Sequence, residues 1–481
     1  MEKRYVTTAI YYANGAPHIG HALELVQADA YARWYRQQGA RTFFQTGTDE
    51  HGAKIARAAE KAGMPPQQFV DSIAAQFAAL KEPLMLSWDR FFRTTDRVAH
   101  WPGVQEIWRK LEERGDIYRR KYRGLYCVGH EAFVTEKDLV DGKCVDHGEA
   151  PEIIEEENYF FRLSRYGKEI QRAIASDEMR ILPAGRKEEM LAFLSRGLED
   201  VSFSRPRKDL AWGIPVPGDE SQTIYVWADA LTNYLSGVGY PREEFREWWP
   251  ADIHFIGKDI LRFHALIWPG ILIAAGLPLP RNIFVHGFLT VEGKKMSKTL
   301  GNVIHPAKLV EEYGVDAVRY YLLRSVPSGE DGDVSKERLQ HLLKGELADG
   351  LGNFASRVCA LAGREGTLKV EKLDASLKKV LDNTRKEVAA KMNQFQIHEA
   401  LGIIWKAIQE GDIYINRNAP WKSRDKKVIA MLVVLLSEIA QLVAPFLPKT
   451  SASIRAAIHL EGETLTAKPL APLFPKRNAG E

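Results

Sequence analysis

Four residues that could bind a metal lie in one short stretch, YCVGHEAFVTEKDLVDGKCVDHG. Cys127, His130, Cys144 and His147 are spaced as C-x2-H, thirteen residues and C-x2-H, and they include two of the chain's three cysteines. Thiolate and imidazole ligands at this spacing suit tetrahedral zinc, and four protein ligands leave no open position for a reaction. We therefore expect one structural zinc ion per chain. A loop without metal is the alternative.

A pair of histidines follows the first predicted strand, in the segment PHIGHALE. His18 and His21 share one face at the start of a helix, beside the positive end of its dipole and backbone N–H groups that have no partner within the helix. Gly20 between them lets a ligand approach the backbone closely. This pattern favours a binding site for a phosphate chain. The alternative is a capped helix that carries two incidental histidines.

The segment GKKMSKTLGN places two lysines after the last predicted strand of the sheet. Lys295 and Lys298 flank Met296 and Ser297 in a loop bounded by glycines. Such lysines can move onto a polyphosphate and neutralise the charge that develops in a transition state. For this loop taken alone, a solvated basic turn would be the commoner explanation.

The hydrophobic pattern of the chain predicts an α/β fold that could position these segments. Strand-like runs alternate with helical runs in residues 1–115 and again in 223–335, which predicts a doubly wound, Rossmann-like parallel sheet. The turn-rich residues 116–222, which hold the Cys/His cluster, form a predicted insertion between the two halves. In residues 336–481 the strand signals fade, and we expect a helical bundle with a frayed tail after about residue 461.

The composition excludes several classes of protein. Hydrophobic residues make up 45% and charged residues 27% of the 481 positions, an ordinary globular balance, and the formal net charge is only +3. The apolar stretch IAMLVVLLSEIAQLVAPF is interrupted by Glu438, Gln441 and Pro445, so we expect a buried helix there and no membrane span. With no signal peptide at the amino terminus and too few cysteines for a disulfide framework, we expect a cytoplasmic protein.

The two candidate phosphate sites belong together, because ligands of a doubly wound sheet bind at the carboxyl ends of its strands. PHIGH and KMSKT resemble the HIGH and KMSKS signatures of the class I aminoacyl-tRNA synthetases, with Thr299 where the family usually has serine. The resemblance implies an enzyme that uses Mg2+ and ATP to form an aminoacyl-AMP, releases pyrophosphate, and transfers the acyl group to the 3′ end of a tRNA. The residues implied for catalysis are His18, His21, Lys295 and Lys298. The implied ATP site adds Gly20, Glu24, Gly257, Asp259 and Ser297.

Further segments resemble the methionyl-tRNA synthetase family across nearly the whole chain, namely TTAIYYANGAPHIGH, FQTGTDEHG, YVWADALTNY, FIGKDILRFH and NFASRV. By this resemblance Asp49 would hold the ammonium group of L-methionine through a charge-assisted contact. Aromatic walls suit a polarizable thioether, and a tyrosine or histidine hydrogen bond can recognise its sulfur. The implied pocket residues are Ile10 (through its backbone), Tyr12, Trp227, Ala230, Tyr234, Ile260 and His264. Standing alone on a helix face, Trp227 and Tyr234 would be ordinary core residues.

The same resemblance assigns three residues of the bundle to the CAU anticodon of tRNA(Met), initiator and elongator. Asn353 and Arg357 are four residues apart and can bond base edges, and Trp421 offers a stacking surface to an unstacked base. Without the family match, the first two would be a solvated helix face and Trp421 could pack inside the bundle. The family's insertion often binds zinc, usually with cysteine where this chain has His130.

Several alternatives remain open at this point. Cysteinyl-tRNA synthetases have similar motifs, but their zinc lies in the amino-acid pocket, whereas we expect the Cys/His cluster here to lie away from the pocket residues. The isoleucine, valine and leucine enzymes need a larger insertion for editing, and a small HxGH adenylyltransferase would not account for the bundle. The intact motifs argue against a catalytically silent tRNA-binding paralogue. Because no further tRNA-binding module follows the bundle, we expect a monomer.

Overall fold

The computed structural model describes residues 2–130, 132–134, 136, 139–145, 148–296 and 301–474. The chain forms two compact units. The first consists of Met1–Pro17, Gly39–Lys81 and Ser87–His286, and the second of His18–Gln38, Glu82–Leu86 and Gly287–Glu481. The helix that carries the two histidines therefore belongs to the second unit, as does the lysine loop.

A six-stranded parallel sheet forms the centre of the first unit. In spatial order its strands are Arg90–Arg93, Arg41–Asp49, Lys3–Tyr12, Ile253–Gly257, Asn282–His286 and Arg180–Leu182. The first strand of the chain lies inside the sheet and later strands are added on both sides, which confirms the predicted doubly wound arrangement. Every residue of Ile253–Gly257 is buried, as expected for a central parallel strand. The edge strand Arg180–Leu182 comes from the predicted insertion.

One hydrophobic core accompanies this sheet. The helix Trp101–Glu113 buries Val104, Ile107, Trp108 and Leu111, the spacing of a single helix face, and they share the core with the helix Trp268–Ala274. The other α-helices of the unit are Ala53–Lys61, Pro66–Ala78, Gly167–Ala175, Ala184–Leu194, Val226–Leu231 and Asn233–Ser236. Shorter 3-10 or π-helical segments are Leu163–Tyr166, Glu243–Glu247, Lys258–Ile260 and Phe263–Ile267.

The predicted insertion is mainly antiparallel sheet. Its longest strands, Ile117–Cys127 and Glu152–Phe161, pair along their length and set Lys121 opposite Glu157 and Arg123 opposite Glu155. Opposite charges at directly paired positions stabilise such a ribbon. The shorter strands are Ala132–Val134, Leu139–Val140, Lys143–Cys144, Val201–Ser202, Ser204–Pro206, Pro215–Val216 and Asp219–Ile224.

The second unit is mainly helical. Its helices are Ile19–Gln37, Pro306–Tyr313, Val315–Arg324, Lys336–Leu342, the π-helical Leu343–Gly352, Asn353–Glu365, Ala375–Asn393, Ile397–Asn418, Pro420–Ser423, Lys426–Val443 and Pro448–Ala457. Leu432, Val433 and Leu436 of Lys426–Val443 are fully buried, which confirms the prediction of a buried helix in the apolar stretch. None of the helices in the described residues has the length and apolar character needed to cross a membrane.

Two small sheets in the second unit were not predicted. Leu289–Val291 pairs with Lys294–Lys295 and Gly332–Val334, and Leu368–Lys369 joins a hairpin of Ile458–Glu461 and Thr464–Ala467. The expectation of a frayed tail after about residue 461 is therefore wrong. Strands this short leave almost no periodic signal in a sequence.

Candidate functional site

The histidine helix, Ile19–Gln37, begins with a cap made by its own histidines. His18 is the N-cap residue, and its Nδ1 accepts the backbone N–H of Gly20 at 3.1 Å. The Nδ1 of His21 accepts the backbone N–H of His18 at 3.1 Å, and the two rings stack with centroids 3.8 Å apart. Because each Nδ1 accepts a hydrogen bond, each neutral ring carries its proton on Nε2. Both Nε2–H groups are donors suited to an anion.

The first turn of this helix does not present the unpartnered backbone N–H groups that the sequence predicted. In addition to the bond of Gly20, Ile19 donates to the carbonyl of Ile304 at 3.0 Å, and Ala22 donates to the carbonyl of His18 at 3.2 Å. That part of the prediction is wrong, because a side chain and a neighbouring segment satisfy the donors. We therefore expect an anion at this position to be held by the imidazole rings and by the helix dipole.

The lysine loop begins beside the histidine helix. Lys294–Lys295 is a short strand, and Cε of the following Met296 lies 3.7 Å from where a Cβ on Gly20 would be. The same Cβ would lie 3.0 Å from Cε1 and Nδ1 of His18, a tight contact that the His18 ring would have to relieve by shifting. The side chain of Lys295 and the residues Ser297, Lys298 and His147 lie outside the described part of the chain.

Asp49 ends the strand Arg41–Asp49 and is only 4% exposed. Its Oδ1 is buried and has no hydrogen-bond partner among the described residues. Burial raises the pKa of Asp49 well above its usual value, and the charges of Asp229 and Glu50 raise it further, against the opposing effect of backbone N–H groups of His51 and Glu50. A buried carboxylate oxygen without a donor is a position where a ligand ammonium group would supply one.

Tyr234 and His264 form a buried pair. The hydroxyl of Tyr234 lies 2.8 Å from Nε2 of His264, and Nδ1 of that ring lies 3.0 Å from the carbonyl oxygen of Ile260. A carbonyl oxygen can only accept a hydrogen bond, so Nδ1 donates to it. Nε2 therefore accepts the hydrogen bond from the tyrosine hydroxyl. Burial lowers the pKa of His264 to about 4, which keeps the ring neutral. Both donor hydrogens are used inside the protein, so in this arrangement the expected hydrogen bond from the pair to a sulfur atom is not made.

Trp227 provides a flat aromatic wall in the first unit. Its ring stacks on Phe263, with centroids 3.6 Å apart and planes 7° from parallel. Phe263 was not predicted as a site residue, although it stands beside His264 in the sequence. Tyr12, at the end of the first strand, donates from its hydroxyl to the carbonyl of His51 at 3.1 Å.

The remaining predicted pocket residues lie on three different segments of the first unit. The pairing of the first two strands shifts register between Thr7 and Ile10, which takes the backbone of Ile10 out of the regular ladder. Ala230 is buried in the helix Val226–Leu231, and Ile260 ends the 3-10 turn Lys258–Ile260. An irregular strand agrees with a role for the Ile10 backbone.

A buried cluster of His51, His100 and Asp229 was missed by the sequence analysis. Nδ1 of His51 lies 2.7 Å from Oδ2 of Asp229, and Nε2 of His100 lies 2.7 Å from Oδ1. Burial acts to raise the pKa of Asp229, but the charge of His51 and the hydrogen bonds from His100 and His51 bring it below the usual value. The only available signals were the position of His51 just after Asp49 and of Asp229 two residues after Trp227.

The residues predicted for the nucleotide fall in both units. In the first unit, a Cβ on Gly257 would lie 2.6 Å from Oδ1 of Asp259, so the Asp259 carboxylate packs closely against this glycine. In the second unit, Glu24 is buried on the histidine helix. Gly257 and Asp259 thus lie in a tight turn, and Glu24 lies in a helix.

The described part of the Cys/His cluster brings three ligands together. The ligand atoms of Cys127, His130 and Cys144 all lie within 4.8 Å of one another, and Sγ of Cys144 is 3.5 Å from Nδ1 of His130. Burial raises the pKa of the Cys127 thiol, and the neighbouring Cys144 raises it further. Two thiols and an imidazole that converge in this way fit a zinc ion, which would also favour the thiolates.

From the sequence we expected this cluster to lie away from the pocket residues, but it contacts one of them. The indole Nε1–H of Trp227 donates to the backbone carbonyl of His130 at 3.3 Å. The expectation is wrong because the insertion folds back onto the helix that carries Trp227, a contact between residues almost a hundred positions apart.

The three predicted anticodon residues lie on two helical segments of the second unit. Asn353 is exposed at the start of the helix Asn353–Glu365. Arg357 donates to Asp412 at 3.1 Å and to Asn416 at 2.8 Å, and its guanidinium lies 5.6 Å from the centre of the Trp421 ring. The Trp421 side chain is 44% exposed. The structure brings Arg357 and Trp421 together and leaves an aromatic face open to solvent.

Comparison with known proteins first defines the class. The family described as “tRNA synthetases class I (M)” matches residues 4–146 and 134–359, and the “Anticodon-binding domain of tRNA ligase” matches residues 374–477. Together with the parallel sheet and the helical unit, these matches define a class I aminoacyl-tRNA synthetase, an enzyme class that uses ATP.

Individual relatives narrow the class further. The chain is 44% identical over 463 residues to the methionine--tRNA ligase of Caldanaerobacter subterraneus subsp. tengcongensis, covering 93% of this chain and 72% of the relative. It is 40% identical over 507 residues to that of Brucella suis biovar 1, covering 99% and 98%. The solved Mycobacterium tuberculosis methionyl-tRNA synthetase in complex with methionyl-adenylate superposes with a TM-score of 0.93 at 38% identity, covering 99% and 100%. The chain belongs to the methionine--tRNA ligase family, and the cysteine alternative is not supported.

Proposed function

We propose that the chain activates L-methionine with Mg2+ and ATP to methionyl-AMP and pyrophosphate, and then transfers the methionyl group to the 3′ end of initiator and elongator tRNA(Met). The observation that carries the proposal is the buried Oδ1 of Asp49, which has no hydrogen-bond partner among the described residues and lies in the unit that also holds the aromatic wall of Trp227. No side chain acts as a nucleophile, because the methionine carboxylate attacks the α-phosphate itself. The protein contributes positioning and charge stabilisation.

In the amino-acid site, Asp49 accepts hydrogen bonds from the ammonium group of methionine. The stacked ring of Trp227, together with Tyr12, packs against the thioether, whose polarizable sulfur favours aromatic contacts. Tyr234 and His264 shape the end of the pocket and select by size and polarizability, because their donor hydrogens are already used within the protein. Ile10, Ala230 and Ile260 complete the enclosure.

In the nucleotide site, His18 and His21 donate from Nε2 to the phosphates of ATP. Their Nδ1 atoms are held by backbone N–H groups, which orients both rings before substrate binds. Lys295 and Lys298, with Ser297 between them, stabilise the departing pyrophosphate. Gly20 permits the close packing of this motif. Gly257 and Asp259 bind the ribose, and Glu24 supports the nucleotide.

We further propose that Cys127, His130, Cys144 and His147 bind one structural zinc ion. Three of these residues already converge, and the carbonyl of His130 accepts the indole hydrogen of Trp227. The zinc would hold this segment of the insertion in place for the acceptor end of tRNA. It takes no part in bond making, since four protein ligands leave no open position.

In the second unit, Asn353, Arg357 and Trp421 bind the CAU anticodon. Asp412 and Asn416 orient the guanidinium of Arg357, and the exposed ring of Trp421 offers a stacking surface. We assign the catalytic domain to residues 1–115 and 223–335, the insertion to 116–222 and the anticodon-binding domain to 336–481. We propose a cytoplasmic monomer, for which light scattering should give a mass near 54.3 kDa.

Methionine-dependent exchange of pyrophosphate into ATP tests the proposed activity. The wild-type chain should exchange with methionine and should not exchange comparably with cysteine. Replacing His21 by asparagine, which keeps a donor but shortens its reach, should lower the exchange rate while methionine binding without ATP is retained. Absence of methionine-dependent exchange in the wild type would refute the activity, and faster exchange with cysteine would refute the specificity.

A further inference from the structure

The buried cluster of His51, Asp229 and His100 joins two parts of the proposed methionine pocket. Asp229 lies on the helix Val226–Leu231, two residues after Trp227. His51 lies two residues after Asp49, and its Nδ1–H donates to Oδ2 of Asp229 at 2.7 Å. One carboxylate therefore ties the aromatic wall to the segment that carries the ammonium-binding group.

The second oxygen of Asp229 is held from a third segment. His100 precedes the helix Trp101–Glu113, is fully buried, and donates from Nε2 to Oδ1 of Asp229 at 2.7 Å. A carboxylate accepts both imidazole hydrogens, whereas an amide in its place would set an NH2 group against one of them. The orientation of Asp229 is thus determined by two donors from separate parts of the chain.

The charges around Asp49 show what else Asp229 does. Two acids, Asp229 and Glu50, lie close enough for their charges to raise the pKa of Asp49. Glu50 is compensated by Arg93, which donates to its two oxygens at 2.7 and 2.8 Å. Asp229 accepts one hydrogen bond from each of its two histidines, and its lowered pKa keeps it negatively charged. Asp49 has only backbone donors among the described residues, and its Oδ1 has none. A cationic ligand group is the partner that this arrangement lacks.

We propose that Asp229 is a positioning residue for methionine, which holds the helix of Trp227 against the Asp49 segment and keeps a negative charge beside Asp49. The inference rests on the proposed function, since it assumes that Asp49 binds the methionine ammonium group. The charge of Asp229 attracts that ammonium group and, in its absence, favours a proton on Asp49. Methionine therefore competes with a proton for this site.

The pH dependence separates this role from a purely structural one. Acidification protonates Asp49 and weakens methionine binding, so the dissociation constant of methionine rises as the pH falls through the raised pKa of Asp49. Removing the charge of Asp229 lowers the pKa of Asp49. The dissociation constant of methionine should then begin to rise only at a lower pH. A variant that only loosened the fold would weaken binding by a similar factor at every pH.

The test uses the full-length Asp229→Asn variant and calorimetric titration with methionine without ATP, from about pH 5.5 to about pH 8.5. At neutral pH the dissociation constant should rise about tenfold, since a buried donor loses its acceptor. The KM for ATP in exchange should change by less than about twofold, because the substitution leaves uniform ATP binding intact. The pH at which the dissociation constant of methionine begins to rise on acidification should be lower in the variant than in the wild type.

A second pair of variants decides the matter if Asp229→Asn does not fold. His100→Gln keeps an N–H donor near the position of Nε2 and should stay within about threefold of wild-type methionine affinity, whereas His100→Leu removes it and should lose about tenfold. Equal affinity in both variants would overturn the inference. So would an Asp229→Asn variant whose methionine affinity falls equally at all pH values.

The matched control is Asp252→Asn in the same unit. Asp252 is also a buried carboxylate with several donors, accepting from the backbone N–H of Tyr5 and from Arg4 and Arg281. It precedes the strand Ile253–Gly257, at the opposite strand end from the one that Asp49 occupies. This variant should lose stability without a change in methionine affinity. Wild-type protein that binds methionine without catalysing exchange would refute the proposed activity and leave the inference standing.

Discussion

At the scale of single residues, Gly20 shows how closely the proposed phosphate-binding motif is packed. A methyl group at this position would lie 3.0 Å from the His18 ring, a ring that is already held by the backbone N–H of Gly20 and stacked on His21. The ring would have to shift by a few tenths of an ångström and would take its Nε2 donor with it. A small steric change should therefore become a large catalytic one.

The substitution Gly20→Ala should lower kcat of methionine-dependent exchange by at least about tenfold, because the histidine donors are displaced from the phosphates. Methionine affinity without ATP should stay unchanged. The matched control is Gly185→Ala in the helix Ala184–Leu194, where nothing lies within 4 Å of the added Cβ. It should retain activity and gain up to about 1 kcal/mol of stability. Unchanged kcat in Gly20→Ala would contradict the assigned role of His18.

His264 predicts a pH dependence of stability. Burial lowers its pKa from 6.5 to about 4, so between these values the unfolded chain binds a proton that the folded chain does not. Stability is therefore present above pH 6.5 and is lost as the pH falls toward 4. Through this group, lowering the pH from about 7.5 to about 5 should reduce the free energy of unfolding by about 2 kcal/mol.

The measurement is urea unfolding of wild type, His264→Gln and His459→Gln at both pH values. Glutamine does not titrate, so His264→Gln should lose less stability on acidification than the wild type. His459 is exposed on the strand Ile458–Glu461, and its replacement should leave the acid-induced loss as in the wild type. An equal loss in all three proteins would show that His264 does not contribute.

At the scale of elements, the insertion contacts the proposed amino-acid pocket. The Cys/His cluster sits at the turn between strands, and His130 accepts the indole hydrogen of Trp227 through its carbonyl at 3.3 Å. Trp227 in turn stacks on Phe263. A metal that orders the cluster would thus also order one wall of the pocket, without touching substrate.

The substitution Cys144→Ser should reduce zinc in protein purified without added metal to less than about half an equivalent. It should also raise the KM for methionine about threefold, because the hydrogen bond that orients Trp227 weakens. Metal analysis and exchange kinetics check the two effects. Cys359→Ser is the control, since Cys359 is a buried thiol of the helix Asn353–Glu365 outside the cluster. Full zinc content in Cys144→Ser would remove the proposed metal site.

At the scale of the whole molecule, the two steps of the reaction make different demands on the chain. Activation needs methionine and ATP, whereas transfer also needs tRNA held by its anticodon. In the proposed function, Trp421, exposed beside Arg357, serves only the second step. A variant at this position should therefore separate the two activities.

Trp421→Ala should raise the KM for tRNA in aminoacylation by roughly tenfold or more, since stacking of a base on an aromatic ring contributes about 1–3 kcal/mol. Methionine-dependent exchange without tRNA should remain at the wild-type rate. Leu460→Ala, which removes an exposed apolar side chain from the strand Ile458–Glu461, should alter neither activity. A parallel loss of exchange in Trp421→Ala would point to a folding defect instead.

Much of the architecture was predictable because its signals are local. The alternation of strands and helices predicted the doubly wound sheet, and the apolar spacing of residues such as Leu432 and Leu436 predicted a buried helix. Strands of two to four residues, such as Thr464–Ala467, were missed because so short a run shows no period. A capped helix was offered only as an alternative, and the sequence did not show that the histidines themselves make the cap, since this depends on the orientation of each ring.

The sequence by itself determined the family and the chemistry-bearing motifs, because His18, Gly20 and His21 lie within four consecutive positions and their types and spacing can be recognised without a fold. Only the tertiary structure decided which distant polar groups meet. Asp229 receives hydrogen bonds from His51 and His100, from segments far away in the chain. Such partners are selected by the packing of buried elements, where every polar group must find a partner, and no short stretch of sequence contains that information.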